Sequence, residues 1–126
     1  MNPQQLDSFL SRYVAMWHEP DPERRRTLVE ALWAEDAENT TRNFTARGLP
    51  AIVARVTRAH EEWVAAKRFV FRPTGNSDAH NHLVKFSWEM APSVGGPAEA
   101  RGLDIFVLNE DGRIRALYQF AEPLPA

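Results

Sequence analysis

The hydrophobic pattern of this chain changes period near residue 68, and that change limits the folds that the chain can adopt. Before this point apolar residues recur at the three- and four-residue spacing of a buried helix face. In the first such segment they are Leu6, Phe9, Leu10, Tyr13, Val14 and Trp17. After this point apolar and polar residues alternate, as they do in half-buried strands. Helices followed by strands predict an α+β fold, with a curved antiparallel sheet packed on three N-terminal helices.

Proline and aspartate residues mark the expected ends of the first two helices. Pro3 suits the first turn of the first helix, and Pro20 predicts that this helix stops near Glu19. Asp21 is a suitable N-cap for the second helix, with Pro22 at its first position. The apolar residues that this second helix would bury are Leu28, Val29, Leu32 and Trp33. The third helix is expected to open at Gly48-Leu49-Pro50, to end near Ala66 and to bury Ile52, Val53, Val56, His60 and Trp63.

Turn-forming residues separate the expected strands. We expect residues 34–48 to be largely irregular, with one short strand near Ala37–Thr41. The longer strands that follow are centred on residues 69–71, 82–90, 103–108 and 114–120. Asn109–Gly112 has the composition of a hairpin turn, in which the glycine supplies the positive φ. Because no repeat or linker interrupts this order, residues 1–126 are expected to form one domain.

Composition and charge argue against several classes of protein. Fifteen basic and seventeen acidic residues give a formal net charge of −2, whereas a binder of nucleic acid or anionic membranes normally carries a basic excess. The lack of cysteine excludes disulfides and thiolate chemistry. No apolar run reaches the roughly 18 residues of a membrane span, and the N-terminus lacks a secretory pattern. We therefore expect a cytoplasmic protein that binds neither nucleic acid nor membranes.

Several short motifs occur in an order shared with one superfamily. They are Trp17–Asp21, Leu32–Ala37, Gly48 before the third helix, Phe86–Trp88, Gly102–Ile105 and Asp111–Ile114. Over nearly its whole length the sequence resembles the nuclear-transport-factor-2-like superfamily, in particular its SnoaL-like and ketosteroid-isomerase-like branch. The resemblance implies a cone-shaped sheet closed by helices around an apolar pocket, and frequently a homodimer built on the outer face of the sheet. It leaves function open, since this fold hosts isomerases, cyclases, epoxide hydrolases, dehydratases and non-catalytic binders.

Asp104 is the most informative single residue, because it interrupts the otherwise apolar strand Leu103–Leu108. An isolated ionised carboxylate buried there would cost several kcal/mol. The side chain can avoid this cost by staying neutral with a raised pKa, by pairing with Arg101 or Arg115, or by facing a solvated pocket. The first and third possibilities indicate a functional site, whereas the second indicates a structural ion pair or a dimer contact.

The resemblance gives Asp104 and Tyr13 specific roles. Aligned on ketosteroid isomerases, Asp104 falls on their buried, protonated aspartic acid and Tyr13 on their oxyanion-hole tyrosine. Both groups would then donate to one oxygen of a bound ligand and stabilise an enolate. The same alignment places Thr41 where those enzymes have their catalytic base, and a threonine cannot accept a carbon-bound proton at neutral pH. A standard ketosteroid isomerase is therefore not predicted, and Asp104 itself becomes the candidate base, as in SnoaL-like polyketide cyclases.

His82 is a third candidate for the catalytic set. It alternates in phase with Phe86 and Trp88, so we expect it on the pocket face of its strand, where a histidine can act as acid or base near pH 7. His80 and His82 also form an H-x-H pair, but two ligands do not make a metal site. We predict neither a metal nor a cofactor.

Aromatic residues supply most of the expected pocket wall. The pocket residues expected besides the catalytic set are Trp17, Trp33, Trp63, Phe86, Trp88, Gln119 and Thr41. Four tryptophans in a small domain either fill the cone or line a cavity for a flat apolar ligand. Gln119 would neighbour Asp104 and orient it. Because Gln119 also stands where an epoxide hydrolase would need a second acid beside Arg101 and Asp104, that activity is disfavoured.

Two functional hypotheses follow from these residues. The first is a SnoaL-like enzyme that performs acid–base isomerase, cyclase or lyase chemistry on an apolar carbonyl compound, with Asp104, Tyr13 and His82 as its polar set. The second is a non-catalytic protein that binds a ligand or serves a structural role as a dimer. Under either hypothesis an apolar outer sheet face that includes Leu103, Ile105 and Val107 favours a homodimer.

Overall fold

Three helices open the fold in the computed structural model, which describes residues 1–125. They are α1 (Pro3–His18), α2 (Pro22–Leu32) and α3 (Leu49–Ala59). Asn2 and Asp21 cap α1 and α2 through their side chains, and a proline occupies the first turn of each helix. A π-helical segment, His60–Ala66, continues α3 to the expected end. No helix within the described residues is long and apolar enough to cross a membrane.

The strands of residues 1–125 form one open, curved sheet. They are β1 (Trp33–Thr40), β2 (Thr45–Arg47), β3 (Phe69–Pro73), β4 (Asp78–His80), β5 (Leu83–Pro92), β6 (Ala100–Leu108) and β7 (Ile114–Glu122). The strand order is β2-β1-β7-β6-β5-β3, and β4 pairs with one end of β5. The α+β fold class is confirmed. The sheet is mixed rather than purely antiparallel, because β1 runs parallel to β7.

The segment between α2 and α3 differs most from its sequence-based prediction. Residues 34–48 were expected to be largely irregular with one short strand near Ala37–Thr41, but β1, which is longer than that strand, and β2 occupy most of them. Trp33 was expected on the buried face of α2 and instead begins β1, where its backbone pairs with Ile114 of β7. This partner lies some eighty residues away in the chain, so local periodicity carries no sign of it. The consequence for the site is that β1 brings a polar side chain, Asn39, beneath the helices.

Aromatic packing fixes α1 against the centre of the sheet. The ring of Tyr13 lies edge-on to Phe106 of β6 and Phe86 of β5, with ring centroids 4.7 and 5.9 Å away. Phe9, one turn earlier, makes a similar contact with Phe106 at 5.2 Å. All four side chains are at least 98% buried. The phenol of Tyr13 is thereby held against β6 at the level of Asp104.

Candidate functional site

Asp104 faces the interior of the domain from the middle of β6. Its strand neighbours are Phe86 on β5 and Gln119 on β7. Since side chains alternate along a strand, Leu103 and Ile105 point to the opposite face. Asp104 is only 1% exposed, so its carboxylate depends on neighbouring side chains rather than on water.

Three donors surround the Asp104 carboxylate. The Tyr13 hydroxyl donates to Oδ2 at 2.7 Å, while Trp88 Nε1 and Gln119 Nε2 donate to Oδ1 at 3.0 and 3.3 Å. Tyr13 and Asp104 are thus adjacent, but they form a donor–acceptor pair with each other instead of two donors aimed at a ligand. An environment of donors stabilises an ionised carboxylate. The arrangement therefore equips Asp104 to accept a proton.

Burial and hydrogen bonding act on the pKa of Asp104 in opposite directions. Burial raises this pKa to about 6, while the hydrogen bonds from Tyr13, Trp88 and Gln119 and the charge of Arg55 hold it down. The pKa of Tyr13 is raised well above its ordinary value, mainly by burial and then by the nearby Asp104 carboxylate. At pH 7 Asp104 is consequently mostly ionised, and Tyr13 remains a proton donor.

The amide of Gln119 is oriented by two donors behind it. Its Oε1 accepts hydrogen bonds from Asn39 Nδ2 at 3.0 Å and from Arg55 Nη2 at 3.2 Å. With its oxygen turned toward these donors, its Nε2 faces Asp104. Asn39 and Arg55 were not predicted from the sequence. On β1 the fully buried Asn39 approaches the site, in the part of the chain where Thr41 was expected.

Arg55 brings a positive charge from α3 to the same group of side chains. Its guanidinium lies 5.3 Å from the centroid of the Trp17 ring and 5.0 Å from that of Phe44. Among residues 1–125 no carboxylate oxygen forms an ion pair with it, and its Nε is buried without a hydrogen-bond partner. Burial lowers the pKa of Arg55.

A cavity of about 250 Å³ lies over this cluster. Its polar wall consists of Tyr13, Arg55, Asp104 and Gln119. Its apolar wall includes Trp17, Trp63, Phe71, Phe86, Trp88 and Met90. Three of the four tryptophans therefore line a space instead of filling it, and the same space is lined by Arg55 and Asp104.

Glycine opposite Trp88 explains how the indole reaches Asp104. Gly102 of β6 pairs with Trp88 of β5, and a Cβ atom on Gly102 would overlap the indole ring. Without that atom the ring can lie close to the backbone of β6, and its N–H reaches the carboxylate two residues further along the strand. Gly102 thus positions one of the three donors.

Three predicted site residues lie away from the cavity. Trp33 belongs to the core, 1% exposed, and its Nε1 donates to the sulfur of Met16 at 3.3 Å. Thr41 follows β1 in a loop, where its hydroxyl accepts the backbone N–H groups of residues 43 and 44. His82 was placed on the pocket face, which is wrong: β5 begins at Leu83, and His82 is exposed in the turn before it. None of the three lines the cavity around Asp104.

The proposed alternative partners of Asp104 are also absent from the site. Arg101 is three residues before Asp104 on β6 and therefore faces the other side of the sheet, and Arg115 is exposed on β7. Neither forms an ion pair with Asp104 among the described residues. In the same part of the chain no three histidine or acidic side chains are grouped so that they could hold a metal ion.

Comparisons with known proteins agree with this architecture. The profile of the SnoaL-like domain matches residues 10–117. A protein of the SnoaL-like family from Agrobacterium tumefaciens str. C58 is 30% identical, with a TM-score of 0.85 and coverage of 95% of this chain and 99% of that one. The chain therefore belongs to the SnoaL-like family, which confirms the resemblance inferred from its motifs.

Two more distant structures show the same fold. One is from Sinorhizobium meliloti, at 18% identity, a TM-score of 0.69 and coverage of 95% and 100% of the two chains. The other is from Jannaschia sp. CCS1, at 12% identity, a TM-score of 0.72 and coverage of 97% and 90%. The Agrobacterium protein is named as a proposed isomerase, and these two are named as proposed polyketide cyclases. No curated protein sequence matches the chain.

Proposed function

We propose that the cavity binds an apolar carbonyl compound and that Asp104 acts as a general base on the carbon beside its carbonyl. The observation that carries this proposal is a buried carboxylate with a pKa of about 6 at the wall of an aromatic cavity. A base is most effective when its pKa lies near the working pH. The names of the Agrobacterium, Sinorhizobium and Jannaschia proteins support chemistry of this kind.

Oδ2 of Asp104 is the atom that accepts the proton. Oδ1 already accepts two hydrogen bonds, whereas Oδ2 accepts only the one from Tyr13 and retains a lone pair. As the C–H bond breaks, the proton bonds to Oδ2 and the electron pair delocalises onto the carbonyl oxygen. Return of the proton to a different carbon completes an isomerisation. Alternatively, attack of the carbanion on a second carbonyl within the same molecule closes a ring and forms an alkoxide, which takes the proton from Asp104 and restores the base.

Tyr13, Trp88 and Gln119 serve this reaction by holding the base. Their hydrogen bonds favour the ionised form of Asp104 and fix the carboxylate in one orientation. Asp104 is the only carboxylate among the cavity residues of the described chain, so a single base both removes and returns the proton. This separates the protein from ketosteroid isomerases, which use a separate base.

Hydrogen–deuterium exchange tests the proposal without knowledge of the natural substrate. 2-Tetralone is a suitable probe, because it has two fused rings and unusually acidic protons between its carbonyl and its aromatic ring. In deuterated buffer the protein should accelerate exchange at that carbon, as followed by proton NMR. The rate should increase with pH through about 6, as Asp104 ionises.

Asp104→Asn keeps the shape of the side chain and removes the base, so exchange should fall to the rate in buffer. Asp7→Asn on the exposed side of α1 is the matched control and should exchange like the wild type. If 2-tetralone binds the wild type and its protons exchange no faster than in buffer, Asp104 is not a base for this class of compound. The protein would then be a ligand-binding member of its family.

A further inference from the structure

The proposed reaction leaves the buried side of Arg55 without a role. The guanidinium stands at the cavity wall between two aromatic rings, and its only hydrogen bond within residues 1–125 goes to Gln119. A guanidinium has five N–H donors. In the described part of the chain no carboxylate pairs directly with the guanidinium, and its Nε is buried without a hydrogen-bond partner. The donors that face the cavity therefore depend on whatever occupies it.

Ligand binding changes the surroundings of these donors. An apolar ligand that fills the cavity displaces water from the guanidinium, and a donor left unpaired in a dry site is costly. Tyr13 and Trp88 do not substitute for Arg55, since each has a single donor hydrogen and already gives it to Asp104. A ligand that fits the site must therefore present an oxygen acceptor to Arg55.

The negative charge of ionised Asp104 determines which charge the ligand's acceptor can carry. The Asp104 carboxylate and the Arg55 guanidinium face the same cavity and are linked through one amide, that of Gln119. Ionised Asp104 balances the charge of Arg55, so a ligand carboxylate would bring a second negative charge into a largely buried space. A neutral carbonyl oxygen satisfies the donors without this penalty.

We infer that Arg55 binds the carbonyl oxygen of the ligand, and that the ligand is a neutral ring-containing ketone. The inference rests on the proposed function for the orientation of the ligand. A carbonyl and its neighbouring carbon are one bond apart, and Arg55 and Asp104 flank one amide. An oxygen held by Arg55 therefore places that carbon near the Asp104 carboxylate, and the guanidinium stabilises the enolate oxygen when the proton leaves.

A set of three ligands of the same ring system tests the inference by binding alone. They are tetralin, which lacks oxygen, 2-tetralone, and the carboxylate of tetralin-2-carboxylic acid. Affinity is measured by calorimetry at pH 8, where Asp104 is ionised. We expect the wild type to bind the ketone more tightly than either tetralin or the carboxylate, although the ketone is less apolar than tetralin.

Arg55→Met removes the donors and retains much of the apolar stem. The ratio of tetralin to 2-tetralone dissociation constants should fall at least about tenfold in this variant, the size expected for a hydrogen bond to a charged group. Arg58→Met is the matched control, because Arg58 lies on the same helix, carries the same charge and is exposed. Its ratio should equal that of the wild type.

Three results would overturn the inference. If the wild type binds tetralin as tightly as the ketone, or if Arg55→Met keeps the ratio of the wild type, Arg55 does not bind the carbonyl. If the carboxylate is the tightest ligand, the site takes an anion and the neutral ketone is the wrong class.

The carbonyl carbon of ¹³C-labelled 2-tetralone provides a check on the wild type alone, should Arg55→Met fail to fold. Its resonance should move downfield on binding, because a charged donor polarises the bond, and an unshifted resonance contradicts the inference. Failure of proton exchange with the ketone preference intact would reject the catalytic proposal only.

Discussion

Asp104 links the stability of the domain to pH. Its pKa is raised to about 6 in the folded state, with burial as the main cause, whereas the ordinary value is 3.8. Between these two pH values the folded chain binds more protons than the unfolded chain at this site. The contribution of Asp104 to stability is therefore most favourable below about pH 4 and is lost as the pH rises through about 6.

The variant Asp104→Asn should reveal this contribution in chemical denaturation. Its amide oxygen can accept from Trp88 and Gln119 while its amide nitrogen donates to Tyr13, so the variant avoids burying a charge. As the pH rises from 4 to 8, the free energy of unfolding of the variant should increase relative to that of the wild type by up to about 3 kcal/mol. Asp7→Asn should show no such gain. A difference from the wild type that is constant with pH would show that Asp104 has an ordinary pKa.

Individual site residues differed in how far the sequence identified them. Asp104 could be predicted, because an acid within an apolar strand is conspicuous. Arg55 could not, since a charge on an amphipathic helix is typical of an exposed position. Asn39 was missed for a different reason: the short strand that carries it is held by parallel pairing with β7, and an alignment by family placed Thr41 at the site instead.

At the scale of elements, the contact between β5 and β6 controls the geometry of the base. Gly102→Ala should force the Trp88 indole to move, because the added Cβ would overlap it. Overpacking of this kind costs about 1–3 kcal/mol. The displaced indole should also lose its hydrogen bond to Asp104. Because that bond lowers the pKa of Asp104, its loss should raise this pKa and with it the pH at which proton exchange of 2-tetralone begins.

A double-mutant cycle separates this effect from general damage to the strand. In a Trp88→Ala background the indole is gone, so Gly102→Ala should cost at least 1 kcal/mol less, as measured by urea unfolding. An equal cost in both backgrounds would mean that the glycine serves the backbone of β6 and does not accommodate Trp88.

The elements themselves were predictable where their cause is local. Caps and prolines identified α1 and α2, alternation identified β5, and an apolar run followed by a hairpin turn identified β6 and β7. The start of β5 was misplaced by one residue, which was enough to assign His82 to the cavity. β1 and β2 depend on pairing with distant strands and on packing under α3, and these are properties of the assembled fold.

At the scale of the whole molecule, the sheet has one face without helices. Cross-strand pairs place Leu83 beside Val107, Ile105 beside Tyr118, and Leu103 beside Phe120. Leu83, Tyr118 and Phe120 are 40%, 42% and 54% exposed. A contiguous apolar surface of this kind usually marks an interface. We propose that it seats a second copy of the chain, which is the homodimer that the family resemblance implies.

Phe120→Glu should convert this dimer to a monomer, because a two-fold interface would bury the new charge twice. Sedimentation velocity at micromolar concentration provides the measurement. Val94→Glu adds the same charge to a loop residue that is 94% exposed and should leave the dimer intact. Phe120 faces away from the cavity that its neighbour Gln119 lines, so the monomer should still bind 2-tetralone and exchange its protons. A wild type that sediments as a monomer would leave the apolar face without a second copy, while lost exchange in a folded monomer would make the dimer part of the site.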